Sequence, residues 1–350
     1  MRRRWLVGVA ALALALAACG GNDNGGGSAS GGGQKQYKLT LIQGVKGDQF
    51  YITMQCGAQE AAKAAGATLD VAAPDEFDAS LQTPVVNAVV AKKPDAILVA
   101  PTDTKAMIPP LTQAKAAGIK LVFVDTTTEN GAELAESEIA SDNEEGGREA
   151  ARTLAKLTGG KGSVLVINVK PGISTTDARA KGFEDEIKKT PGLKYIGQEY
   201  SNDKPEVAAA KATAALSAHP DLVGIFGTNL FSAEGAATGL RSAGASKKVK
   251  IVGFDAGPKQ VEDLEQGIVQ ALIAQKPADI GKAGVEQAIA ALKGGQVAAQ
   301  ELSKLIGGSG KVMVVNVKPG ISTTDARAKG FEQGAKEAGL DYIGQQYDDD

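Results

Sequence analysis

A carboxylate or an amide stands at five places where a run of apolar, largely β-branched residues breaks off. Asp103 follows ILVAPT, Asp125 ends IKLVFVD, Asn229 follows LVGIFGT, Asp255 ends KIVGFD and Gln275 ends VQALIAQ. Taken singly, each reads as a loop residue or a helix cap. Together they read as the wall of a shared polar cleft, because ligands of open parallel sheets sit beyond the carboxyl ends of the strands. Such a wall can hydrogen-bond a polar ligand, and nothing beside it suggests turnover. The chain has one histidine, His219, in the segment AHPD at a helix end. It has no Gly-x-Ser-x-Gly elbow, no P-loop, no Cys/His metal cluster and no nucleophile paired with a histidine. Neither catalysis nor a cofactor is expected.

The elements that must hold this wall alternate. Strand patterns at Leu39–Gln43, Thr68–Ala72, Ala96–Ala100, Ile119–Asp125, Ser163–Val169, Tyr195–Glu199, Leu222–Gly227, Val249–Asp255 and Val269–Ala274 are separated by Ala-rich helical stretches. In the first of these, Met54, Ala58, Ala61 and Ala65 share one helical face. Gly66, Gly118 and Gly244 stand where helices end in a left-handed residue. Apolar strands alternating with helices predict an α/β fold with parallel sheets covered on both faces. A body of about 310 residues is long for one core, so two lobes are expected.

The N-terminus predicts export. Arg2, Arg3 and Arg4 precede an uncharged run from Trp5 to Ala18 that is short for a bilayer span and reads as a signal peptide. It ends Leu16-Ala17-Ala18-Cys19, which resembles the bacterial lipobox and implies lipidation of Cys19. Residues 19–36 are then a Gly/Ser-rich tether above a membrane surface. With Cys19 acylated, Cys56 is the one thiol left, so no intrachain disulfide is possible. The formal net charge of −3 argues against a nucleic-acid partner.

From Tyr37 to Gly294 the chain resembles the ribose-binding-like sugar-binding proteins of ABC transporters. The resemblance rests on DQFYITMQCGAQEAAKAAG, DAILVAPTDTKAM, GIKLVFVDT, IASDNEEGG, ISTTDARAKGF, AHPDLVGIFGTN, VKIVGFDAGP and VQALIAQKPADIG. It implies the type I periplasmic binding protein fold, with two doubly wound lobes joined by three crossover strands that close on a ligand by hinge motion. The lobes would comprise 37–139 plus 276–300 and 140–275. It also implies ligand contacts from Asp48, Phe50, Tyr51, Asp125, Ser141, Arg179, Asn229, Phe254, Asp255 and Gln275. The aromatic rings would meet a sugar's C–H face, and a carboxylate such as Asp125 would accept from vicinal hydroxyls.

The pattern also departs from the family. Thr126 stands in place of an Arg, Ala100 in place of an Asn, and Asn202 in place of an aromatic. Lys170 is a candidate replacement cation. Ser174 with Asp177 suggests a capping box, and Asp177 can pair with Lys181. Arg179 then lies early in its helix, against the dipole and without a helix partner, which marks it for a ligand.

The implied function is capture of a sugar or polyol by a monomer and delivery to an ABC transporter permease. A ligand-presenting receptor for a membrane signalling protein is the alternative, since it would use the same lobe surfaces. One feature fits neither role. NVKPGISTTDARAKGFE occurs at Asn168–Glu184 and again at Asn316–Glu332. Repeat architectures show several copies at one period, whereas here there are two. The strand expected after the last helix is not evident. Residues 301–350 are expected to be a duplicated strand–helix segment docked at a sheet edge, with Arg327 outside any binding lobe.

Overall fold

The computed structural model describes residues 36–316 and 322–347. The signal peptide, Cys19 and nearly all of the tether lie outside them. Strands β1 (Lys38–Ile42), β2 (Thr68–Ala72), β3 (Ala96–Val99), β4 (Lys120–Val124) and β5 (Ser137–Ile139) form one parallel sheet, in the order β2-β1-β3-β4-β5. Strands β6 (Gly162–Asn168), β7 (Leu193–Tyr200), β8 (Leu222–Gly227), β9 (Lys250–Phe254) and β10 (Ala271–Ile273) form another, in the order β10-β9-β8-β6-β7. Allowing for direction, the same strand order occurs twice.

Parallel neighbours cannot be joined by a tight turn, so helices make the crossovers. They are α1 (Gln49–Ala64), α2 (Ala79–Ala91), α3 (Ile108–Ala116), α4 (Gly131–Leu134), α5 (Asn143–Thr158), α6 (Ser174–Ile187), α7 (Pro205–Ala218), α8 (Leu230–Ser242), α9 (Pro258–Glu265) and α10 (Pro277–Leu305). Each sheet carries an apolar cluster on both faces. The patterned strands appear within a few residues of their expected bounds. The sequence reading omitted β5, α4 and α9, which are too short to show a period.

The chain leaves the first lobe after β5 and returns after β10, which gives two crossings. No third crossover strand occurs among the described residues, because α10 runs on for 29 residues. Its first half belongs to the first lobe, where Ile280, Val285, Ala288 and Ile289 are core. A Cβ on Gly281 would lie 2.0 Å from the Met54 carbonyl oxygen, and one on Gly57 2.0 Å from that of Ala278. Only glycine permits α1 and α10 to approach so closely.

From Ala299 the helix serves a different core. Together with β11 (Lys311–Asn316), α11 (Ser322–Glu337) and β12 (Asp341–Tyr347) it encloses Ala299, Val312, Ala335 and Leu340, with Leu302, Phe331 and Tyr342 against them. The duplication is therefore longer than the identical stretch. GGREAARTLAKLTGGKGSV at 146–164 corresponds to GGQVAAQELSKLIGGSGKV at 294–312. Ala151, Leu154, Val164, Phe183 and Leu193 pack together in the second lobe, and their counterparts Ala299, Leu302, Val312, Phe331 and Leu340 pack together here. The helix is the first lobe's last helix fused to a second α5.

The expected docking at a sheet edge is not observed: β11 and β12 pair with each other alone. In the second lobe, Leu165 and Ile167 are covered by Ala208 and Ala212 of α7. Their counterparts Met313 and Val315 are 42% and 64% exposed. The side chain of Arg327 lies outside the described ones. Since this unit shares no core with the lobes, ending the chain after Gly294 should leave the main thermal transition within about 3 °C of its original midpoint. A larger fall on calorimetric melting would show that the unit supports the lobes.

Candidate functional site

The two lobes present equivalent carboxylates. Asp125 follows β4 and Asp255 follows β9, both with left-handed φ, +67° and +76°. Asp is among the few side chains that tolerate this conformation. Each backbone N–H is held by a crossover strand: Asp125 donates to the Ile139 carbonyl at 2.8 Å, and Asp255 to that of Ile273 at 2.9 Å. The kink turns both carboxylates into one cleft. The Tyr51 hydroxyl donates to Asp125 Oδ2 at 2.7 Å. Asp255 accepts from the Leu230 N–H at 3.1 Å and from Gln275 Nε2 at 2.6 Å.

Two more wall residues are helix N-caps. Asp48 accepts from the Phe50 N–H of α1 at 2.8 Å, and Asn229 from the Ser232 N–H of α8 at 3.1 Å. For Asn229 the cap and the cleft positions therefore coincide. Asn229 also donates to Asp203 at 2.7 Å.

Arg179 is 3% exposed. Its Nε donates to Asn143 Oδ1 at 2.8 Å, its Nη1 donates to the Thr228 carbonyl at 2.9 Å, and its guanidinium lies 3.7 Å from the centre of the Phe254 ring. A Cβ on Gly147 of α5 would fall 2.0 Å from the Arg179 carbonyl oxygen, so this glycine lets α6 sit deep enough to bring the guanidinium to the cleft. The loop before α6 is braced by Asp177, which accepts from Asn168 Nδ2 at 3.2 Å and the Gly172 N–H at 2.7 Å. The expected capping box is therefore not formed. Ser174 Oγ instead accepts from the Thr127 N–H of the other lobe at 2.9 Å, and Lys181 pairs with Asp185 rather than Asp177.

Further contacts close the lobes on each other. The Thr104 N–H donates to the Gly172 carbonyl at 2.9 Å, and Lys170 pairs with Asp78 at 3.2 Å. Lys170 is thus a clasp across the lobes and not a cleft cation. About 400 Å³ of space, counting the part open to solvent, lies between the lobes. Asp48, Phe50, Tyr51, Asp125, Arg179, Asn229, Asp255 and Gln275 all line it.

Ser141 and Phe254 do not line the cavity. Ser141 stands behind the wall, donating to Gln275 Oε1 at 2.7 Å and so fixing that amide. Phe254 is 2% exposed and forms the floor under Arg179. Asp103 also stays out, because its carboxylate accepts from the Lys105 and Ala106 N–H groups. Thr126 is turned to the Pro101 carbonyl, Ala100 is core, and Asn202 is exposed.

The sequence reading missed Phe77, Val169, Ile173, Thr175, Thr176 and Asp203, which complete the lining. The pair Thr175–Thr176 lay within a quoted motif. Asp203 adjoins the position examined for an aromatic. Phe77 supplies a ring from the opposite lobe and had no signal.

The charges do not balance: four lining carboxyls face one guanidinium. Burial pushes Asp48 up to about 8, with repulsion from Asp255 adding to it. Burial likewise takes Asp203 up to about 7, against its bond from Asn229. Asp125 rises to about 6, burial outweighing the nearby Arg179 and the Tyr51 hydroxyl. Burial lowers Arg179.

Below about pH 3 these acids carry protons whether the cleft is open or closed. As pH rises toward 8 the open, hydrated cleft loses its protons first, so the closed ligand-free form loses stability across that window. The radius of gyration of the ligand-free protein should therefore grow between pH 5 and pH 8 in small-angle scattering, and Asp48→Asn should flatten the change. A radius independent of pH in the unmodified protein would contradict this charge arrangement.

A family profile described as periplasmic binding protein domain matches residues 39–296. The ribose import binding protein of Bacillus subtilis is 28% identical over 264 residues, covering 75% of this chain and 84% of its own. The D-ribose/D-allose-binding protein of Pseudomonas aeruginosa is 29% identical over 292 residues, 81% of this chain and 90% of its own. Among solved structures, an ABC transporter solute-binding protein from Agrobacterium vitis, bound with α-D-tagatopyranose, superposes with a TM-score of 0.71 at 44% identity, covering 73% of this chain and 88% of that one. One from Agrobacterium radiobacter in complex with D-arabinose gives 0.71 at 28% identity, covering 74% and 89%. With two lobes of one topology, a shared cleft and a match across most of its length, the chain belongs to the type I periplasmic binding protein family.

Proposed function

We propose that this protein captures a sugar or polyol between its lobes and delivers it to the permease of an ABC transporter. The observation that carries this reading is the matched pair Asp125 and Asp255, one from each lobe, converging with Arg179 on one cavity between the lobes. Buried carboxylates accept strong bonds from hydroxyls, and a guanidinium donates to a ring or hydroxyl oxygen. Phe50 and Tyr51, edge to face at 5.2 Å, and Phe77 offer apolar surfaces to C–H faces. The relative bound to α-D-tagatopyranose makes a hexose in its pyranose form the first ligand to test.

Capture follows from closure. Each lobe holds part of the wall, so a ligand gains its full set of contacts in the closed form and draws the hinge toward it. Residues 1–19 then place the protein outside the cytoplasm, held at a membrane by lipid on Cys19, where it works as a monomer. It binds and hands over its ligand without changing it.

Asp255→Ala removes an acceptor and frees Gln275. Affinity for whichever of D-tagatose, D-galactose, D-arabinose and D-ribose binds most tightly should fall at least about tenfold in titration calorimetry, with the fold retained. Unchanged affinity would remove Asp255 from the site. Cys19→Ala should move the protein from the membrane fraction to the soluble exported fraction. Continued membrane retention would refute the anchor.

A further inference from the structure

Two consecutive residues without the freedom of glycine, Asn202 and Asp203, hold left-handed φ angles of +52° and +61°. Such backbone is costly, and it persists where its surroundings impose it. Here the surroundings do. The Ser201 N–H donates to the Asn168 carbonyl and the Asn202 N–H to that of Val169, both at 2.8 Å, so the loop continues the β6–β7 pairing. The Ser201 and Ser232 hydroxyls bond at 3.0 Å, and the Asp203 N–H donates to Ser201 Oγ at 3.2 Å. The result turns Asn202 to solvent and the Asp203 carboxyl into the cleft.

That carboxyl is only half used. Oδ1 accepts from Asn229, while Oδ2 has no hydrogen bond among the described residues. The same holds for Asp48 Oδ2 and Asp125 Oδ1, whose residues are 7% and 8% exposed. Thr176 Oγ1 is buried in the lining without a partner. Against these acceptors the cavity lining has one cation, Arg179. A ligand must therefore offer donors on most sides, and a negative charge would meet buried carboxylates.

We propose that Asp203 is a specificity-determining residue, its free oxygen taking a donor of the bound sugar, and that with Asp48, Asp125 and Asp255 it makes the cleft reject anionic sugars such as uronic acids and sugar phosphates. This rests on the sugar-binding reading above and narrows its ligand class to uncharged or ammonium-bearing sugars.

The test is titration calorimetry at pH 8 with D-tagatose, D-galactose, D-galactosamine and D-galacturonate, on the unmodified protein and on Asp203→Asn and Asp203→Gly. The unmodified protein should bind at least one of the first three and hold D-galacturonate at least about 100-fold more weakly. Both variants should lose about tenfold or more for the best neutral sugar and narrow the discrimination against D-galacturonate. Asp203→Gly relieves the backbone conformation, so its melting temperature should be equal or higher while its affinity falls. A purely structural aspartate would give the reverse, a lower melting temperature with affinity kept. Unchanged affinity in both variants, or D-galacturonate bound within about tenfold of the best sugar, overturns the proposal. Failure of the unmodified protein to bind any of the four probes overturns the sugar-binding reading, and this proposal with it.

Discussion

The structure depends on keeping one guanidinium charged out of water. An ion buried without partners costs far more than a domain's net stability, so its surroundings must make the burial tolerable. For Arg179 they do so on several sides: the Asn143 amide oxygen and the Thr228 carbonyl accept, the Phe254 ring lies beneath, and Asp255 and Asp125 favour the charge from the cleft. These partners come from four places in the fold: Asn143 of α5, Thr228 after β8, Phe254 and Asp255 at the end of β9, and Asp125 after β4. The arrangement exists only when α5, α6, β8 and β9 are assembled and the first lobe supplies Asp125. The glycine at 147 and the Asp177 brace serve the same end, because they set how deep α6 sits and where it begins.

The same carboxylates tie recognition to the hinge. Asp125 and Asp255 each give their N–H to the last residue of a crossover strand, Ile139 of β5 and Ile273 of β10. Gln275, just past β10, bonds Asp255 on one side and Ser141, just past β5, on the other. The two chain crossings are therefore linked through a single amide that also faces the cavity. A ligand that engages either carboxylate acts on the backbone about which the lobes turn, which lets contacts in the cleft bias a motion of whole lobes. Lys170–Asp78 and Ser174–Thr127 add direct contacts between the lobes.

Much of this was legible in the sequence because it is written in short-range patterns. Apolar runs ending in Asp, Asn or Gln located the sheet edge, and four of the five strand-end residues reached the cleft. Asp103 did not, because two backbone N–H groups close by claimed its carboxylate first. Local capping and cleft lining use the same residue types, and only the tertiary direction of the side chain separates them. Ser141 and Phe254 were placed one layer too far forward for a related reason: alignment fixes position along the chain but not which layer a side chain occupies. Phe77 and Asp203 had no legible signal. One lies in the loop between β2 and α2 of the first lobe, and the other is aimed by a left-handed loop that no periodicity reports.

The duplicated segment shows where local sequence stops determining a site. Gly294–Tyr347 rebuilds the helix–strand–helix–strand unit of the second lobe, with a small core of matching residues. Side-chain complementarity within the unit is enough for that. The partners that cover and complete the original are not duplicated. Among the described residues β8, which pairs with β6 and leads into the Thr228 carbonyl that holds Arg179, has no counterpart beside β11; nor does β9, which brings Phe254 and Asp255. The same stretch thus borders a cavity in one place, whereas the described part of its second copy ends a strand of a two-stranded sheet and forms most of α11. The motif supplies a brace, a helix start and an arginine. The binding site is a property of the five-stranded lobe that receives them and of the opposite lobe that closes over it.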